Sequence, residues 1–360
     1  MRSINDTIER LARARVAGLA GVSGTDHRHL RALGDFGANP GGLSGWYHVT
    51  EGAAAMPLVV VLHGCTQDAA SYDRGSGWSD LAARFGFAVL FAEQARANNP
   101  NGCFNWFVPG DTRRDAGEAA SIRQMIAAML ARFPIDPARV FVTGLSAGGA
   151  MTSVMLATYP ELFRGGAIIA GLPYGAAATM AQALERMRGQ GHGDDAAYAA
   201  AVRAASPHRG PWPSVSVWQG ESDHTVNAVN ADRIVGQWRA LHGVQAAPDV
   251  ETVSGKLRTR AWHAPDGTVL IEEHRIAGMG HGTPVATHGE TACGCAMPHM
   301  LDVGISSTWQ IAHGWGLLEG AERARSSAPP AAPPSSPPSS SITTVQATIE
   351  AALRSAGLMR

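Results

Sequence analysis

Gly144-Leu145-Ser146-Ala147-Gly148 is a Gly-x-Ser-x-Gly run. It stands between a β-branched stretch, Arg139 to Thr143, and a helical one, Met151 to Ala157. A run of this kind at a strand–turn–helix junction lifts a serine hydroxyl above a sheet edge, with small neighbours because the turn leaves no room for side chains. The helix N-terminus behind it adds partial positive charge for a developing oxyanion. The chemistry is nucleophilic attack on an acyl carbon. A serine hydroxyl needs a base, and the base needs an orienting carboxylate, so an acid and then a histidine should follow in the chain. Asp223, in Gly220-Glu221-Ser222-Asp223-His224-Thr225-Val226, is the acid this reading selects, with Glu221 and Asp232 as weaker alternatives. His281, in Gly278-Met279-Gly280-His281-Gly282, is the base, with His224, His288 and His299 as rivals.

An acyl-transfer site also needs backbone N–H donors aimed at the tetrahedral intermediate. The Ala147 amide is one. The other is assigned to the loop after the apolar run Pro57 to Leu62, which reads His63-Gly64-Cys65, and there to the Cys65 amide. Trp78, Phe104, Trp106 and Phe107 are expected at the mouth of the site, and His63, Trp78 and Trp106 are the candidate substrate contacts.

These residues need elements to hold them. Short apolar runs at 57–62, 87–91, 139–143, 167–170 and 215–218 read as buried strands. Ala116 to Phe133 has apolar residues at helical spacing, and other helix-length segments separate the strands. Such alternation implies an α/β fold, a mostly parallel sheet with helices on both faces. Residues 257–263 and 268–276 flank Pro265-Asp266-Gly267 and predict a hairpin. Four stretches follow: a peripheral N-terminal segment (1–42), the catalytic domain (43–322), a disordered Pro/Ser-rich linker (323–341) and a short amphipathic helix (342–360).

Composition narrows the partners. With 360 residues, net charge -1 and 45% hydrophobic residues, the chain can bury a large core and lacks the basic face that nucleic acid requires. No run is long and apolar enough for a membrane span. Lys256 is the one lysine, which leaves little room for lysine chemistry. Neither a Gly-x-Gly-x-x-Gly nor a P-loop pattern occurs, so no nucleotide cofactor is expected. His281, His288, Cys293, Cys295 and His299 crowd together as zinc ligands might be spaced, but the Cys-x-Cys pair lacks a second knuckle, and no metal is expected. No feature names a protein partner. Asp6 and Glu9 interrupt any apolar stretch of a leader, so the sequence reads as cytoplasmic.

HGC at 63–65, SYDRGSGW at 71–78, NPNGCFNWF at 99–107, GLSAGGAM at 144–151, GESDHTV at 220–226, GMGHG at 278–282 and MLDVGISS at 300–307 occur in that order. Together they resemble the polyhydroxybutyrate depolymerase family of esterases, in particular the type whose oxyanion loop precedes the serine. The similarity spans roughly residues 43–317. It implies an α/β-hydrolase fold and hydrolysis of carboxylic esters, often short-chain polyhydroxyalkanoates. The broader group includes esterases that release acetyl or feruloyl groups from plant polysaccharides, and fold and triad do not choose among these acyl groups. A serine peptidase of similar fold would use the same triad, though no N-terminus-binding pattern is evident. Secreted members carry a leader, so the resemblance points outside the cell where the N-terminus points inside. Cys65 and Cys103 both fall in loops beside the proposed site, and a disulfide between them would brace the oxyanion loop.

Overall fold

Alternate residues of β3 (Met56–Leu62) go to opposite sides of the central sheet: Leu58, Val60 and Leu62 join one core cluster, Val59 and Val61 the other. A strand covered on both faces has no position for a polar side chain, which is why this segment reads as an unbroken apolar run. The computed structural model describes residues 30–50 and 55–319. The remaining strands of the main sheet are β1 (Arg31–Ala32), β2 (Ser44–His48), β4 (Ala88–Glu93), β5 (Ile135–Leu145), β6 (Gly165–Ile169), β7 (Ser214–Gly220), β8 (Val250–Ser254), β9 (Leu257–His263) and β10 (Val269–Ile276). Their order is β1-β2-β4-β3-β5-β6-β7-β10-β9-β8. The six central strands, from β4 to β10, run parallel, and the antiparallel pairs lie at the two ends.

The helices are α1 (Ala69–Ser76), α2 (Trp78–Phe85), α3 (Gly117–Arg132), α4 (Ala147–Thr158), α5 (Met180–Met187), α6 (Asp195–Ala205), α7 (Val229–His242) and α8 (Ser307–Gly314). A small parallel pair, β11 (Thr283–Val285) and β12 (Met300–Asp302), follows β10. Two buried clusters, one on each side of the sheet, make this an α/β-hydrolase architecture. β9 and β10 form the hairpin expected from Pro265-Asp266-Gly267. Among the described residues no helix is long and apolar enough to cross a membrane.

The N-terminal boundary differs from the sequence expectation. Residues 30–42 are part of the fold rather than peripheral to it. β1 pairs with β2, and Leu30 and Leu33 are buried, one in each core cluster. A two-residue strand and a Gly-rich turn carry no periodicity, so the contribution is invisible to pattern reading. The first 29 residues, the 323–341 linker and the 342–360 helix lie outside the described residues.

Two packing features position the site. First, α4 starts directly against the end of β3. A Cβ built on Gly148 would lie 2.2 Å from the Leu62 carbonyl oxygen and 2.5 Å from that of His63, and one on Gly144 would lie 2.4 Å from the Gly148 carbonyl oxygen. Second, the loop after β4 is tied to α3 by a buried carboxyl. Glu118 accepts from the Asn105 amide at 2.8 Å and from Gln94 Nε2, and its own amide meets Asp111 Oδ1 at 3.3 Å. Burial pushes the Glu118 carboxyl up to about 8.

Gly148→Ala should therefore destabilise by about 3 kcal/mol, the upper end of overpacking costs, because the atoms it meets are backbone. Urea unfolding measures this, and a midpoint within error of the parent would contradict the close approach. A carboxyl whose folded value is raised keeps its proton at neutral pH while the unfolded chain ionises. Its contribution is whole below the ordinary carboxylate range and is lost as pH rises to about 8. Glu118→Gln should flatten the fall in stability across that window, measured by urea unfolding at several pH values. An identical slope in parent and variant would count against the buried neutral acid.

Candidate active site

Ser146 occupies the turn between β5 and α4 with φ 57° and ψ -115°. Positive φ is a strained state for a non-glycine residue. It is held by the Ser146 amide donating to the Ile169 carbonyl at 2.9 Å and by the Ala150 amide donating to the Ser146 carbonyl at 2.8 Å. The neighbouring Ala147 amide is the first of α4 and so has no acceptor within the helix.

His281 links this serine to Asp223. His281 Nε2 stands 2.9 Å from Ser146 Oγ, and His281 Nδ1 stands 2.7 Å from Asp223 Oδ2. A carboxylate can only accept from the ring, so Nδ1 carries the proton and Nε2 is free to take one from the hydroxyl. Asp223 is buried at the end of β7, and four donors converge on it. Oδ1 accepts from the Thr225 and Val226 amides at 2.8 and 2.9 Å; Oδ2 accepts from Gln219 Nε2 at 3.1 Å as well as from His281. These bonds replace the water that burial removes from the carboxylate.

The acid and base loops are bonded to each other. The Ser222 amide donates to the Met279 carbonyl at 2.9 Å, and the Glu221 amide to the Ile276 carbonyl at 3.0 Å. Only a glycine permits this approach at Gly220, where a Cβ would sit 2.4 Å from the Met279 oxygen.

The rival residues stand elsewhere. Glu221 pairs with Arg258 at 3.5 Å, and Asp232 with Arg275 at 2.7 Å. His224 and His288 are exposed. His299 lies against the catalytic imidazole, ring centroids 6.0 Å apart, with φ 64°, and its carbonyl accepts from the Thr283 amide just beyond His281 at 2.8 Å. Sequence reading offered His299 only as a rival base. Its contact with His281 depends on β11 lying beside β12, which no local pattern announces. Cys293 is buried on the Ser76 and Gly77 carbonyls, at 3.5 and 3.3 Å, and burial pushes its thiol up to about 12. Among the described residues no group of three or more His, Cys, Asp or Glu is placed to hold a metal ion.

The loop carrying Cys65 follows β3 at the point where α4 touches it. Cys65 is joined to Cys103 by a disulfide, so the Cys65 loop is tethered to the segment carrying Trp106. Two of the candidate substrate contacts are corrected here. Trp78 is a core residue, 1% exposed, edge-on to Phe87 at 6.3 Å and stacked on Trp315 at 6.1 Å. It opens α2, an eight-residue helix too short to show its buried face in sequence. His63 is likewise 1% exposed, its ring against Phe104, and cannot reach a substrate.

Trp106 stays partly exposed. It packs on Ala150, Leu172 and Val226, one helical turn from Ser146 and three residues from Asp223. On its other side opens a cleft of about 290 Å³. Pro109, Tyr174, Gly175 and a series of alanines line it together with the polar side chains of Thr112 and Arg113.

Comparisons with known proteins bear on the family and the fold. Residues 43–260 match the family model described as esterase PHB depolymerase. Over 300 residues the chain is 44% identical to poly(3-hydroxyalkanoate) depolymerase C of Paucimonas lemoignei, a match covering 82% of this chain and 72% of that protein. It is 29% identical over 263 residues to an acetylxylan esterase of Coprinopsis cinerea, covering 71% of this chain and 69% of that one. Among solved structures, an acetyl xylan esterase from Aspergillus awamori superposes with a TM-score of 0.67 at 23% identity, over 80% of this chain and 99% of that one, which speaks for the fold. With a matching family model over more than half its length and a 44% identical relative, the chain belongs to the PHB depolymerase family of esterases, enzymes of α/β-hydrolase fold.

Proposed function

We propose that this esterase hydrolyses short-chain poly(3-hydroxyalkanoates), with poly(3-hydroxybutyrate) or its oligomers as the substrate, and that Ser146, His281 and Asp223 carry the reaction. The unbroken Asp223–His281–Ser146 relay, with contacts of 2.7 and 2.9 Å, supports the acyl-transfer chemistry. The 44% identity to a poly(3-hydroxyalkanoate) depolymerase, against 29% to an acetylxylan esterase, is the observation that carries the choice of acyl group.

The reaction runs in two halves. Ser146 Oγ attacks the ester carbonyl as its proton passes to His281 Nε2. Asp223 holds the imidazole in its reactive tautomer and offsets the charge of the imidazolium. The negative oxygen of the tetrahedral intermediate is met by the Ala147 and Cys65 amides. His281 returns its proton to the departing hydroxy-terminal chain, and Ser146 keeps the acyl group. Water then enters, loses a proton to His281, and releases a free carboxylic acid and the serine. Ester and water balance the reaction, so it calls for no cofactor.

The cleft beyond Trp106 suits the substrate class. A polyester chain presents methyl groups and ester oxygens but no N–H or hydroxyl along its length. Indole, proline and alanine surfaces in the cleft can receive its methyl groups, and Arg113 can donate to its ester oxygens.

Ser146→Ala should lower ester turnover by roughly 10⁴- to 10⁶-fold with the fold intact. The deciding assay incubates the enzyme separately with amorphous poly(3-hydroxybutyrate) and with acetylated and feruloylated xylan, the alanine variant serving as blank. Soluble 3-hydroxybutyrate released from the polyester alone is the expected result. Acetate or ferulate released instead would move the enzyme to polysaccharide de-esterification with the same triad. Trp106→Ala should raise KM for a soluble hydroxybutyrate oligomer about tenfold, the loss of one apolar contact, and leave kcat nearly unchanged. A change confined to kcat would remove Trp106 from the binding surface.

A further inference from the structure

Two arginines stand side by side at 113 and 114, and the fold treats them oppositely. Arg114 is fully engaged. It donates to the Thr158 carbonyl at 2.6 Å, meets Glu161 at 2.6 Å and lies over the Tyr159 ring at 4.6 Å. Arg113 is exposed at the cleft beyond Trp106 and makes no salt bridge among the described residues. The acids nearest to it in sequence are used elsewhere. Asp111 Oδ1 accepts from the Glu118 amide at 3.3 Å, and Asp115 Oδ1 accepts from the Tyr159 hydroxyl at 3.2 Å.

The Arg113 charge bears on the cleft itself. Tyr174 lines the same space, with its hydroxyl donating to the Thr112 carbonyl at 3.4 Å. Burial pushes this phenol up, and the Arg113 guanidinium draws it back down. A guanidinium is a planar fork of donors that matches a carboxylate through two parallel bonds. One left without a carboxylate, in a cleft otherwise walled by indole, proline and alanine, calls for a ligand that brings one.

The proposed substrate class has such a group at one place only. A poly(3-hydroxyalkanoate) is neutral along its length, because each carboxyl is esterified to the next unit. The last unit alone carries a free carboxylate. At about 290 Å³ the cleft is at the small end of ligand sites, a size for the end of an oligomer rather than a long run of chain.

We propose that this cleft is a terminal subsite in which Arg113 binds the free carboxylate of a hydroxyalkanoate oligomer. The inference rests on the polyester reading above and adds a direction to it. The carboxylate end of the chain lies on the alcohol side of every ester bond. The fragment held in the cleft is therefore the leaving one. It takes its proton from His281 and departs as a hydroxy acid, while Ser146 keeps the hydroxyl-end fragment as its acyl group. The enzyme thus measures its cut from the carboxylate end. It favours soluble oligomers, which are rich in ends, over polymer, which is poor in them.

The test compares a 3-hydroxybutyrate tetramer as the free acid with the same tetramer capped as its terminal methylamide. The two share every ester bond and differ by one charge. In the parent, kcat/KM for the acid should exceed that for the amide about tenfold, mostly through KM, the worth of one charge-assisted contact discounted for an exposed site. Arg113→Gln should bring the ratio to about one. Arg113→Lys keeps the charge without the fork and should hold the ratio at several-fold. Added salt should narrow the ratio in the parent and leave it flat in the Gln variant. A tetramer labelled in its carboxylate-end unit should release the label first in a product of one length.

Equal kcat/KM for acid and amide in the parent, or a preference that survives Arg113→Gln, would overturn the proposal. So would early release of the label in fragments of every length. Failure of the polyester reading looks different: neither tetramer would be hydrolysed, whatever stands at position 113, while esters of other acyl groups still would be.

Discussion

The close approach of α4 to the end of β3 is the constraint on which the site depends. Gly148 lies so near the Leu62 and His63 carbonyls that no Cβ fits between them. That contact brings two segments, far apart in sequence, to one point. One carries Ser146 and the Ala147 amide; the other carries the Cys65 amide. An acyl-transfer site needs its nucleophile and both oxyanion donors set to within a fraction of an ångström before substrate arrives, because donors that must move lose much of their value. Backbone packed on backbone achieves this more rigidly than any side-chain contact, which is why the residues here are glycines.

The rest of the relay is fixed by the same means. Asp223 and His281 sit in separate loops, and those loops are joined by two backbone hydrogen bonds across Gly220 before their side chains ever meet. The carboxylate is held by two amides and Gln219, and only its remaining direction is left for the imidazole. Ser146 and His299 both have positive φ, and both are pinned by backbone bonds to neighbouring strands or turns. A strained residue persists only where its environment over-determines it, and Ser146 and His299, two of the positive-φ residues, both lie against the His281 imidazole.

The residues proposed to react are readable in sequence because their geometry is imposed locally. Gly144 and Gly148 stand two residues either side of Ser146, and glycines surround His281. At Gly144, Gly148 and Gly282 a larger residue would collide with backbone, whereas Gly278 and Gly280 face open space. Long parallel strands are readable for a related reason: burial on both faces forces continuous apolar runs, as in Pro57 to Leu62. What escapes is whatever depends on contacts across the fold. Trp78 looks like a mouth residue beside a loop motif, yet α2 turns it under the sheet onto Phe87 and Trp315. Glu118 looks like an ordinary helical glutamate, and its burial comes from the loop that folds over it. β1 is two residues long and pairs with a strand twelve residues away, too little for any period to register.

His63 shows how surroundings overturn an expected role. The His-Gly pair after β3 reads as an oxyanion loop, and a histidine in that loop invites a role at the substrate. Its burial excludes that role, and its two ring nitrogens instead meet the Gly64 carbonyl and the Gln94 amide. A neutral imidazole is well suited to such a post. It is rigid, it donates on one side and accepts on the other, and once buried it has little tendency to gain a proton that would turn its acceptor into a second donor facing an amide. Serine or asparagine could satisfy one of the two backbone groups but would leave the other bare in a water-free site, at a cost comparable to losing the hydrogen bond outright. In the proposed reaction His281 changes its protonation state within each turnover, whereas burial disfavours a second proton on His63.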